Sequence, residues 1–448
     1  MDVFFPLYLS YLTISFLKEM DITALYTCFK ECGKVTTDTR NCPEGSMFFA
    51  LKGETFNGNA FAKQALEKGC RYAVVDEAEY ADGENIFLVD DCLKCLQDLA
   101  REHRRALGTP IVGITGTNGK TTTKELIATV LQKRYKVLYT QGNLNNHIGV
   151  PLTLLNLTKE HEMAVVEMGA NHPGEIRTLV HIAEPDCGLI TNVGKAHLEG
   201  FGSFEGVVKT KSELYDYLRK KENAFIFLDK DNEVLCKASA GLENIGYGME
   251  NDALYVSGKL HACAPFLAFE WKHEGKSYDV NTHLIGAYNV KNALAAIAIG
   301  CRFDVPAEAI CEALNGYIPS NNRSQLTETE SNHLIVDAYN ANPTSMMAAL
   351  ENFRLMEVEH KVAVLGDMKE LGEGSLEEHR KIVGFLGECG FEKVILVGAE
   401  FGKVNTSFEH YPDVEAVKAI FAKSKPEGKF ILIKGSNSMK LAQLKDIL

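Results

Sequence analysis

Residues 113–122, with the sequence Gly-Ile-Thr-Gly-Thr-Asn-Gly-Lys-Thr-Thr, constrain this chain more than any other segment. A strand-like apolar run at 110–115 leads into them, and a helix-forming run at 120–133 follows. A glycine-rich turn between a strand and a helix aims backbone N–H groups and the positive end of the helix at one point, which suits a triphosphate. We therefore expect Lys120 to reach the β- and γ-phosphates and the Thr121 hydroxyl to suit Mg²⁺.

The glycine spacing of this turn departs from the usual phosphate loop. Ile114 stands five residues before Gly119, where a glycine is usual, so the match is to the variant Thr-Gly-Thr-Asn-Gly-Lys-Thr. A purely structural turn is the alternative interpretation, and the Lys-Thr pair that follows the glycine disfavours it.

Composition excludes several classes of protein. A chain of 448 residues predicts two or three domains, and 46% hydrophobic with 24% charged residues is typical of a globular protein. The net charge of -13 argues against nonspecific binding of nucleic acid. The 12 cysteines form no framework and indicate free thiols in a reducing cytoplasm. Cys92 and Cys95 form a C-x-x-C pair without a second pair or a histidine at zinc spacing, so we expect no metal or redox role there.

The first 17 residues are apolar but lack the basic leader and the cleavage site of a secretory signal. Asp2 and Pro6 lie inside this short run, so we expect no stable membrane insertion. Met20 is followed by Asp21, which can cap a helix, and by a helical pattern, as is typical of the beginning of a protein chain. We hypothesise that translation begins at Met20 and that residues 1–19 are a mis-annotated start.

The pattern of strands and helices predicts an α/β protein with three domains. These are a small α/β domain at 20–105, a central parallel-sheet ATPase domain of the phosphate-loop type at 106–320, and a Rossmann-like doubly wound domain at 321–448. A basic, turn-forming stretch at 101–110 is the expected linker, and residues 317–323 break the pattern a second time. The predicted strands are 46–51, 72–75, 86–89, 136–140, 163–168, 187–193, 224–228, 334–337, 361–365, 393–397 and 429–433, with antiparallel strands within 253–283.

Polar residues just after predicted strands are the first candidates for chemistry, because ligands bind at the carboxyl ends of parallel strands. Glu167 ends one strand, and a buried carboxylate there suits Mg²⁺, although a helix cap or a salt bridge would also explain it. His197 follows the next strand and is either a metal ligand or an ordinary turn residue. Lys209 and Lys211 lie on a helical segment, where lysines most often face solvent.

Four further residues are candidates for contacts with a ligand, and three of them also have a structural interpretation. Asn289 and Asn292 are three apart on one helix face and could read a base or cap the helix. Asp337 closes a strand and is placed to accept from a sugar hydroxyl. Arg323 could reach a γ-phosphate, although an arginine in a linker is usually solvent-exposed. By contrast, Asn342 before Pro343 predicts a structural helix cap.

Taken together, these segments resemble the Mur ligases, the ATP-dependent amide-forming enzymes of peptidoglycan assembly, from about Met20 onward. The resemblance lies in six ordered groups of residues. They are 37–40 with 48–54, 116–121, 142–151, the Glu167 and His197 segments, 337–343 and 366–372.

The resemblance implies a role for each candidate residue. It places Lys120, Lys211 and His197 in catalysis, with Lys211 carbamylated, and Thr121, Glu167 and His197 on Mg²⁺, of which two ions are expected. Asn289 would contact adenine, Arg323 the γ-phosphate and Asp337 the ribose of ATP. The remaining ATP contacts would come from Gly116, Thr117, Asn118, Gly119, Lys120, Thr121 and Thr122, and those to a uridine-diphosphate sugar from Asp38, Thr39, Arg40, Lys52, Gly53 and Asn146.

The implied reaction joins D-Ala-D-Ala to UDP-N-acetylmuramoyl-tripeptide through an acyl phosphate, in a cytoplasmic monomer. One departure lies at 57–60, where Asn-Gly-Asn-Ala replaces the usual Asp-Gly-His-Asp and affects the details of sugar contact. Three alternatives remain: a Mur ligase that adds the third residue of the stem peptide, a folylpolyglutamate synthase-like ligase, and an inactive ATP-binding scaffold. Residues 366–372 and 434–436 are further candidates for contacts with the dipeptide.

Overall fold

The computed structural model describes residues 21–319, 323 and 325–448. The hypothesis about residues 1–19 and part of the expected break at 317–323 lie outside them. The chain divides into two compact units. The first contains the residues up to Thr109 with His147–Lys159 and Ile182–Glu184, and the second contains Pro110–Asn146, Glu160–His181 and Pro185–Leu448.

The elements are numbered in chain order. The strands are β1 (Val35–Thr36), β2 (Met47–Phe49), β3 (Tyr72–Val75), β4 (Ile86–Leu88), β5 (Ile111–Thr115), β6 (Val137–Tyr139), β7 (Met163–Glu167), β8 (Cys187–Ile190), β9 (Phe225–Asp229), β10 (Asn244–Met249), β11 (Val256–Cys263), β12 (Leu267–His273), β13 (Lys276–Asn281), β14 (Gln325–Glu328), β15 (Asn332–Asp337), β16 (Lys361–Gly366), β17 (Lys393–Val397), β18 (Glu409–Tyr411) and β19 (Lys429–Lys434). The α-helices are α1 (Ile22–Cys32), α2 (Ala62–Glu67), α3 (Cys92–Leu107), α4 (Lys120–Leu131), α5 (Gly149–Leu154), α6 (Glu175–Ala183), α7 (Leu198–Phe201), α8 (Phe204–Leu218), α9 (Glu233–Ala238), α10 (Asn289–Arg302), α11 (Ala307–Gly316), α12 (Pro343–Leu355), α13 (Ser375–Cys389) and α14 (Val414–Phe421).

The first unit is built on a four-stranded parallel sheet in the order β1-β2-β3-β4. Helix α3 is capped by the Asp91 side chain, which accepts from the Lys94 N–H, and it continues to Leu107. The expectation of a turn-forming linker at 101–110 was therefore wrong for most of that stretch. The basic residues there do not break the helix because arginine is a good helix former. Arg104 also donates to the carbonyl oxygen of Ala183 within the same unit.

The second unit contains a nine-stranded sheet in the order β13-β12-β11-β10-β9-β8-β5-β7-β6. Its strands are parallel from β6 to β11, and the pairs β11–β12 and β12–β13 are antiparallel, as predicted for 253–283. Every residue of β5 and β7 is buried, as expected for central parallel strands with both faces covered. These two strands lie side by side and end next to the phosphate loop and Glu167.

The same unit contains a six-stranded sheet in the order β14-β15-β19-β16-β17-β18, parallel except for the antiparallel edge strand β14. The predicted cap of α12 is confirmed, because the Asn342 side chain accepts from the Ser345 N–H and Pro343 opens the helix. The mixed α/β architecture with three sheets confirms the predicted fold class.

No helix in the described part of the chain combines the length and the apolar character needed to cross a membrane.

Candidate active site

The phosphate loop joins β5 to α4 and needs glycine at two positions. Gly116 has φ 146° and Gly119 has φ 77°, angles that favour glycine. A Cβ atom on Gly116 would lie 2.0 Å from the Thr191 hydroxyl oxygen, and one on Gly119 would lie 2.7 Å from Asn292 Oδ1. The backbone is therefore held tightly on both sides of the turn, with the N-terminus of α4 directly after it.

Residues that follow β8 brace this loop. The Thr117 N–H donates to the Asn192 carbonyl oxygen at 2.9 Å, and the Asn118 N–H donates to Asn192 Oδ1 at 3.0 Å. The Thr191 hydroxyl donates to the Asn118 carbonyl oxygen at 2.6 Å. The loop conformation is thus built into the protein, with Thr122 half-buried in the first turn of α4.

The Lys120 amine lies inside the loop. Its Nζ donates to the carbonyl oxygens of Gly116 at 2.8 Å and Thr117 at 3.0 Å. Burial lowers the pKa of Lys120 to about 8, the Glu167 carboxylate opposes this shift, and Arg323 adds to it. A group with this pKa is mostly charged at neutral pH, as phosphate binding requires.

Glu167 ends β7 and is 1% exposed. Its Oε2 accepts from the Thr121 hydroxyl at 2.9 Å, and its Oε1 accepts from Asn145 Nδ2 at 2.7 Å. The structure therefore brings together two of the three predicted metal ligands. Carboxylate and hydroxyl oxygens suit a hard cation such as Mg²⁺, so the donor set fits the ion that was predicted.

Asn145 was missed by the sequence analysis, which chose Asn146 instead. Asn146 is exposed and belongs to the same unit as Asn145. The signal was present, because both residues lie in the segment 142–151 that resembles the family. Nothing in the sequence distinguished the amide that reaches Glu167 from its neighbour.

His197 precedes α7 and has a left-handed backbone with φ 50°. Its buried Nδ1 is in ion-pair contact with Glu370 Oε2 and has no hydrogen-bond partner among the described residues. Burial lowers the pKa of His197, the Glu370 carboxylate opposes this, and Lys120 and Lys211 add to the lowering. A neutral imidazole is the form that binds a metal ion.

Lys211 on α8 is buried at 2% exposure, whereas Lys209 is exposed. The local pattern predicted solvent-facing lysines, and this was wrong for Lys211. Its Nζ donates to the Ala170 carbonyl oxygen at 3.1 Å and lies 5.2 Å from the centre of the Phe201 ring. Burial, with help from the charge of Lys120, lowers the pKa of Lys211 well below its ordinary value.

Lys124 is a second buried lysine, which the sequence analysis did not single out. It lies one turn after Lys120 on α4 and is 0% exposed. Its Nζ lies 3.7 Å from Glu125 Oε1, and burial lowers the pKa of this lysine despite the attraction of Glu167 and Glu125. Its position i+4 from Lys120 was the available signal.

Asn289 and Asn292 are both buried at the start of α10. Asn289 Nδ2 donates to the Ile285 carbonyl oxygen at 2.8 Å, and Asn292 Nδ2 donates to Asn289 Oδ1 at 2.8 Å. The Thr123 hydroxyl donates to Asn292 Oδ1 at 3.1 Å. The pair therefore ties α10 to α4 beneath the phosphate loop.

Arg323 and Asp337 are the predicted ATP contacts from the C-terminal part of the chain. The Arg323 guanidinium lies 3.9 Å from the centre of the Tyr339 ring, and its buried Nε has no hydrogen-bond partner among the described residues. Asp337 ends β15, and its Oδ2 accepts from Lys434 Nζ at 2.5 Å. Arg323 is near enough to the loop to lower the pKa of Lys120.

The predicted sugar-nucleotide residues of the first unit form ion pairs within that unit. Arg40 makes a bidentate contact with Asp38 and lowers the pKa of that carboxyl to about 2. Lys52 Nζ lies 2.9 Å from carboxylate oxygens of both Asp76 and Glu77.

Two further sugar-nucleotide candidates of the first unit contribute backbone contacts. The Thr39 carbonyl oxygen accepts from Lys68 at 2.8 Å, and the Gly53 N–H donates to the Phe56 carbonyl oxygen at 3.0 Å. The departure at 57–60 has a local role, because Asn57 Nδ2 donates to Glu77 at 2.8 Å.

Replacing Asn292 by alanine is expected to destabilise the second unit. The change removes the acceptor of the Thr123 hydroxyl and the donor to Asn289, which leaves buried polar groups unpaired at a cost of about 1–3 kcal/mol. Urea unfolding measures the loss. Asn244→Ala, at an exposed position, is the matched control and should change stability by less than about 0.5 kcal/mol; equal effects of the two changes would contradict the role given to Asn292.

Replacing Lys211 by methionine is expected to stabilise the metal-free, bicarbonate-free protein by about 1–2 kcal/mol at pH 7. The folded-state pKa of Lys211 lies below the unfolded value, so the unfolded chain binds the proton more tightly and wild-type stability rises with pH. The advantage of Lys211→Met should therefore fade as the pH rises towards about 10.4.

Thermal unfolding at several pH values tests this expectation. Lys209→Met on the exposed face of the same helix is the control and should show no such trend. A loss of stability in Lys211→Met that does not vary with pH would refute the burial argument.

Comparison with known proteins identifies the family. Three family models match: the Mur ligase family catalytic domain at residues 32–104, the Mur ligase middle domain at 114–300, and the Mur ligase glutamate ligase domain at 322–437. The UDP-N-acetylmuramoyl-tripeptide–D-alanyl-D-alanine ligase of Bacillus subtilis (strain 168) is 35% identical over 430 residues, covering 92% of this chain and 93% of the relative. That of Escherichia coli (strain K12) is 34% identical over 420 residues and covers 92% of both.

Solved structures agree with the sequence relatives. A crystal structure of MurF from Acinetobacter baumannii superposes with a TM-score of 0.83 at 31% identity and covers 92% of both chains. MurF ligase from Thermotoga maritima in complex with ADP gives a TM-score of 0.83 at 28% identity and covers 92% of this chain and 96% of that one. A folylpolyglutamate synthase from Mycobacterium tuberculosis, at 15% identity and a TM-score of 0.61, shares the fold. With relatives above 30% identity along nine-tenths of its length, this chain belongs to the Mur ligase family.

Proposed function

We propose that this chain is the ATP-dependent ligase that joins D-Ala-D-Ala to UDP-N-acetylmuramoyl-tripeptide in peptidoglycan synthesis, releasing ADP and phosphate. The observation that carries the proposal is the braced phosphate loop with Lys120 inside it and the Thr121–Glu167 pair beside it. The relatives that match along nine-tenths of the chain are named for this reaction.

ATP would lie on the phosphate loop. The N–H groups at the start of α4 and the Lys120 amine suit its phosphates, because both are positive and held in place. Arg323, whose Nε has no hydrogen-bond partner among the described residues, would neutralise the γ-phosphate. Asp337 would accept from a ribose hydroxyl. Asn289 would lie near adenine, with its amide held by the Ile285 carbonyl oxygen and by Asn292.

Thr121, Glu167 and His197 would hold Mg²⁺, and we expect two ions in the working enzyme. A bound Mg²⁺ would offset the negative charge of the phosphates and of the attacking carboxylate. The protein's own part is to orient Glu167, which the bonds from Thr121 and Asn145 achieve.

The chemistry has two steps. The tripeptide carboxylate attacks the γ-phosphorus of ATP, the bond to the bridging oxygen of ADP breaks, and an acyl phosphate forms. The amine of D-Ala-D-Ala then attacks the acyl carbon, loses a proton and expels phosphate from the tetrahedral intermediate. Lys120 and Arg323 reduce the repulsion between two anions in the first step, and exclusion of water protects the acyl phosphate.

Lys211 is proposed to act as a carbamate. Its buried amine has a strongly lowered pKa, so a neutral nitrogen is available to attack CO₂, form an N–C bond and release a proton. The carbamate is an anion that suits a metal ion, whereas a protonated Lys211 would repel Lys120.

The first unit would bind the sugar nucleotide. Asp38, Thr39, Arg40, Lys52 and Gly53 would provide contacts from it, and Asn146 is proposed as a further sugar-nucleotide contact. We further propose a cytoplasmic monomer whose partners are its two substrates, with neither nucleic acid nor a membrane among them. The domains are proposed to run over 20–105, 106–320 and 321–448.

Release of ADP should depend on both substrates. We expect the purified protein to release ADP with ATP, Mg²⁺, UDP-N-acetylmuramoyl-tripeptide and D-Ala-D-Ala, and to lose at least about 10³-fold in rate in Lys120→Ala without unfolding. Substituting a single amino acid for the dipeptide should abolish product, which separates this reaction from addition of the third residue. A coupled ADP assay measures both, and unchanged turnover of Lys120→Ala would refute the assignment.

Nucleotide binding should take up protons near pH 8. Lys120 has a pKa of about 8, and an anionic phosphate raises it, so binding at pH 8 draws about half a proton per site. Calorimetry in two buffers of different ionisation enthalpy measures this uptake. Lys120→Arg keeps the charge without titrating and should show less uptake; equal uptake by the two proteins would contradict the role given to Lys120.

A further inference from the structure

His197 and Glu370 are two non-glycine residues with left-handed backbone angles that contact each other. Their φ angles are 50° and 65°, and each such residue costs of the order of 1 kcal/mol unless its surroundings stabilise it. His197 lies just before α7, and Glu370 lies between β16 and α13. Because two strained residues contact each other through their side chains, we expect this contact to have a functional role.

The segment that carries Glu370 is held firmly. Asp367 is 0% exposed, and its carboxylate accepts from the N–H groups of Glu400 at 3.0 Å and Phe401 at 2.9 Å. The Met368 N–H donates to Nε2 of the buried His379 at 3.1 Å. Glu370 is therefore presented from a rigid base, although its own side chain is 52% exposed.

Three separate contacts join this part of the chain to the residues around His197. Glu370 Oε2 pairs with His197 Nδ1, and the Glu370 carbonyl oxygen accepts from the Glu199 N–H at 3.4 Å. Lys195 Nζ lies 3.0 Å from Glu378 Oε1. The pairing of the histidine with the carboxylate is thus part of a wider contact.

We infer that Glu370 is a positioning residue for His197: its carboxylate, in contact with Nδ1, favours the proton on that nitrogen and leaves Nε2 unprotonated for a divalent cation. The inference rests on the proposed function, in which His197 binds Mg²⁺. A neutral imidazole carries one proton, so a carboxylate that accepts from one nitrogen leaves the lone pair on the other. The same contact fixes the ring and raises its basicity as a ligand.

The contact between Glu370 and His197 links the proposed metal site to two sheets. Thr121 and Glu167 come from the nine-stranded sheet and its helices, whereas Glu370 follows β16 of the six-stranded sheet. The metal-binding form of His197 therefore depends on the position of the segment after β16.

The first test examines the tautomer in the metal-free protein. Nitrogen-15 spectra of histidine-labelled protein, with the His197 signals assigned from His197→Ala, should show Nδ1 protonated and Nε2 unprotonated. In Glu370→Ala the ring should revert to the form protonated at Nε2, which isolated histidine prefers. Glu370→Gln can still accept at Nδ1 and should keep the wild-type tautomer.

The second test measures metal affinity with Mn²⁺ as the probe, by electron paramagnetic resonance in the presence of a non-hydrolysable ATP analogue. Glu370→Ala should weaken Mn²⁺ binding about 10–100-fold, and Glu370→Gln should weaken it less. Glu373→Ala, which removes the same charge from an exposed position three residues away, should stay within about twofold of the wild type.

The outcomes separate the inference from the proposed function. Weaker Mn²⁺ binding in His197→Ala but not in Glu370→Ala, or an unchanged tautomer in Glu370→Ala, would overturn the inference and leave the metal site intact. Equal Mn²⁺ affinity of the wild type and His197→Ala would overturn both. Thermal unfolding of each variant shows whether it folds, and the exposure of Glu370 favours intact variants.

Discussion

Burial of positively charged side chains is the constraint on which the rest of the site depends. Burial lowers the pKa of Lys120, Lys124 and Lys211, and Arg323 adds to the lowering for the first two. Carboxylates oppose this lowering, Glu167 for the first two with Glu125 for Lys124, and Glu175 and Glu213 for Lys211, but burial outweighs them. A site that holds positive charge partly away from water favours a polyanionic ligand. A nucleoside triphosphate supplies the matching negative charge.

The order of the strands and the bonds around the phosphate loop explain why the site is rigid. The strands β5 and β7 are adjacent, so the loop after one and the carboxylate that ends the other meet without a long connection. Segments beneath and beside the loop supply the remaining bonds, from Asn192 on one side and Asn292 on the other. Such preorganisation reduces the cost of ordering groups when the nucleotide binds.

Much of this could be predicted from the sequence, because the strongest signals are local. The strand–glycine–helix pattern located the phosphate loop, and Glu167 was placed correctly at the end of β7. Burial of Lys211 could not be predicted from its helix, since nothing local distinguishes it from Lys209. Contacts between residues far apart in the chain, such as Glu370 with His197 or Asn145 with Glu167, follow from tertiary packing, and sequence spacing carries no trace of them.

Hydrogen exchange of the backbone amides with and without a magnesium complex of a non-hydrolysable ATP analogue tests the central claim most directly. If the turn at residues 116–122 binds the phosphates, its amides should exchange at least about tenfold more slowly in the complex, because the phosphate oxygens accept from them. Nucleotide binding, measured in the same sample, that leaves the exchange of these amides unchanged would contradict the account.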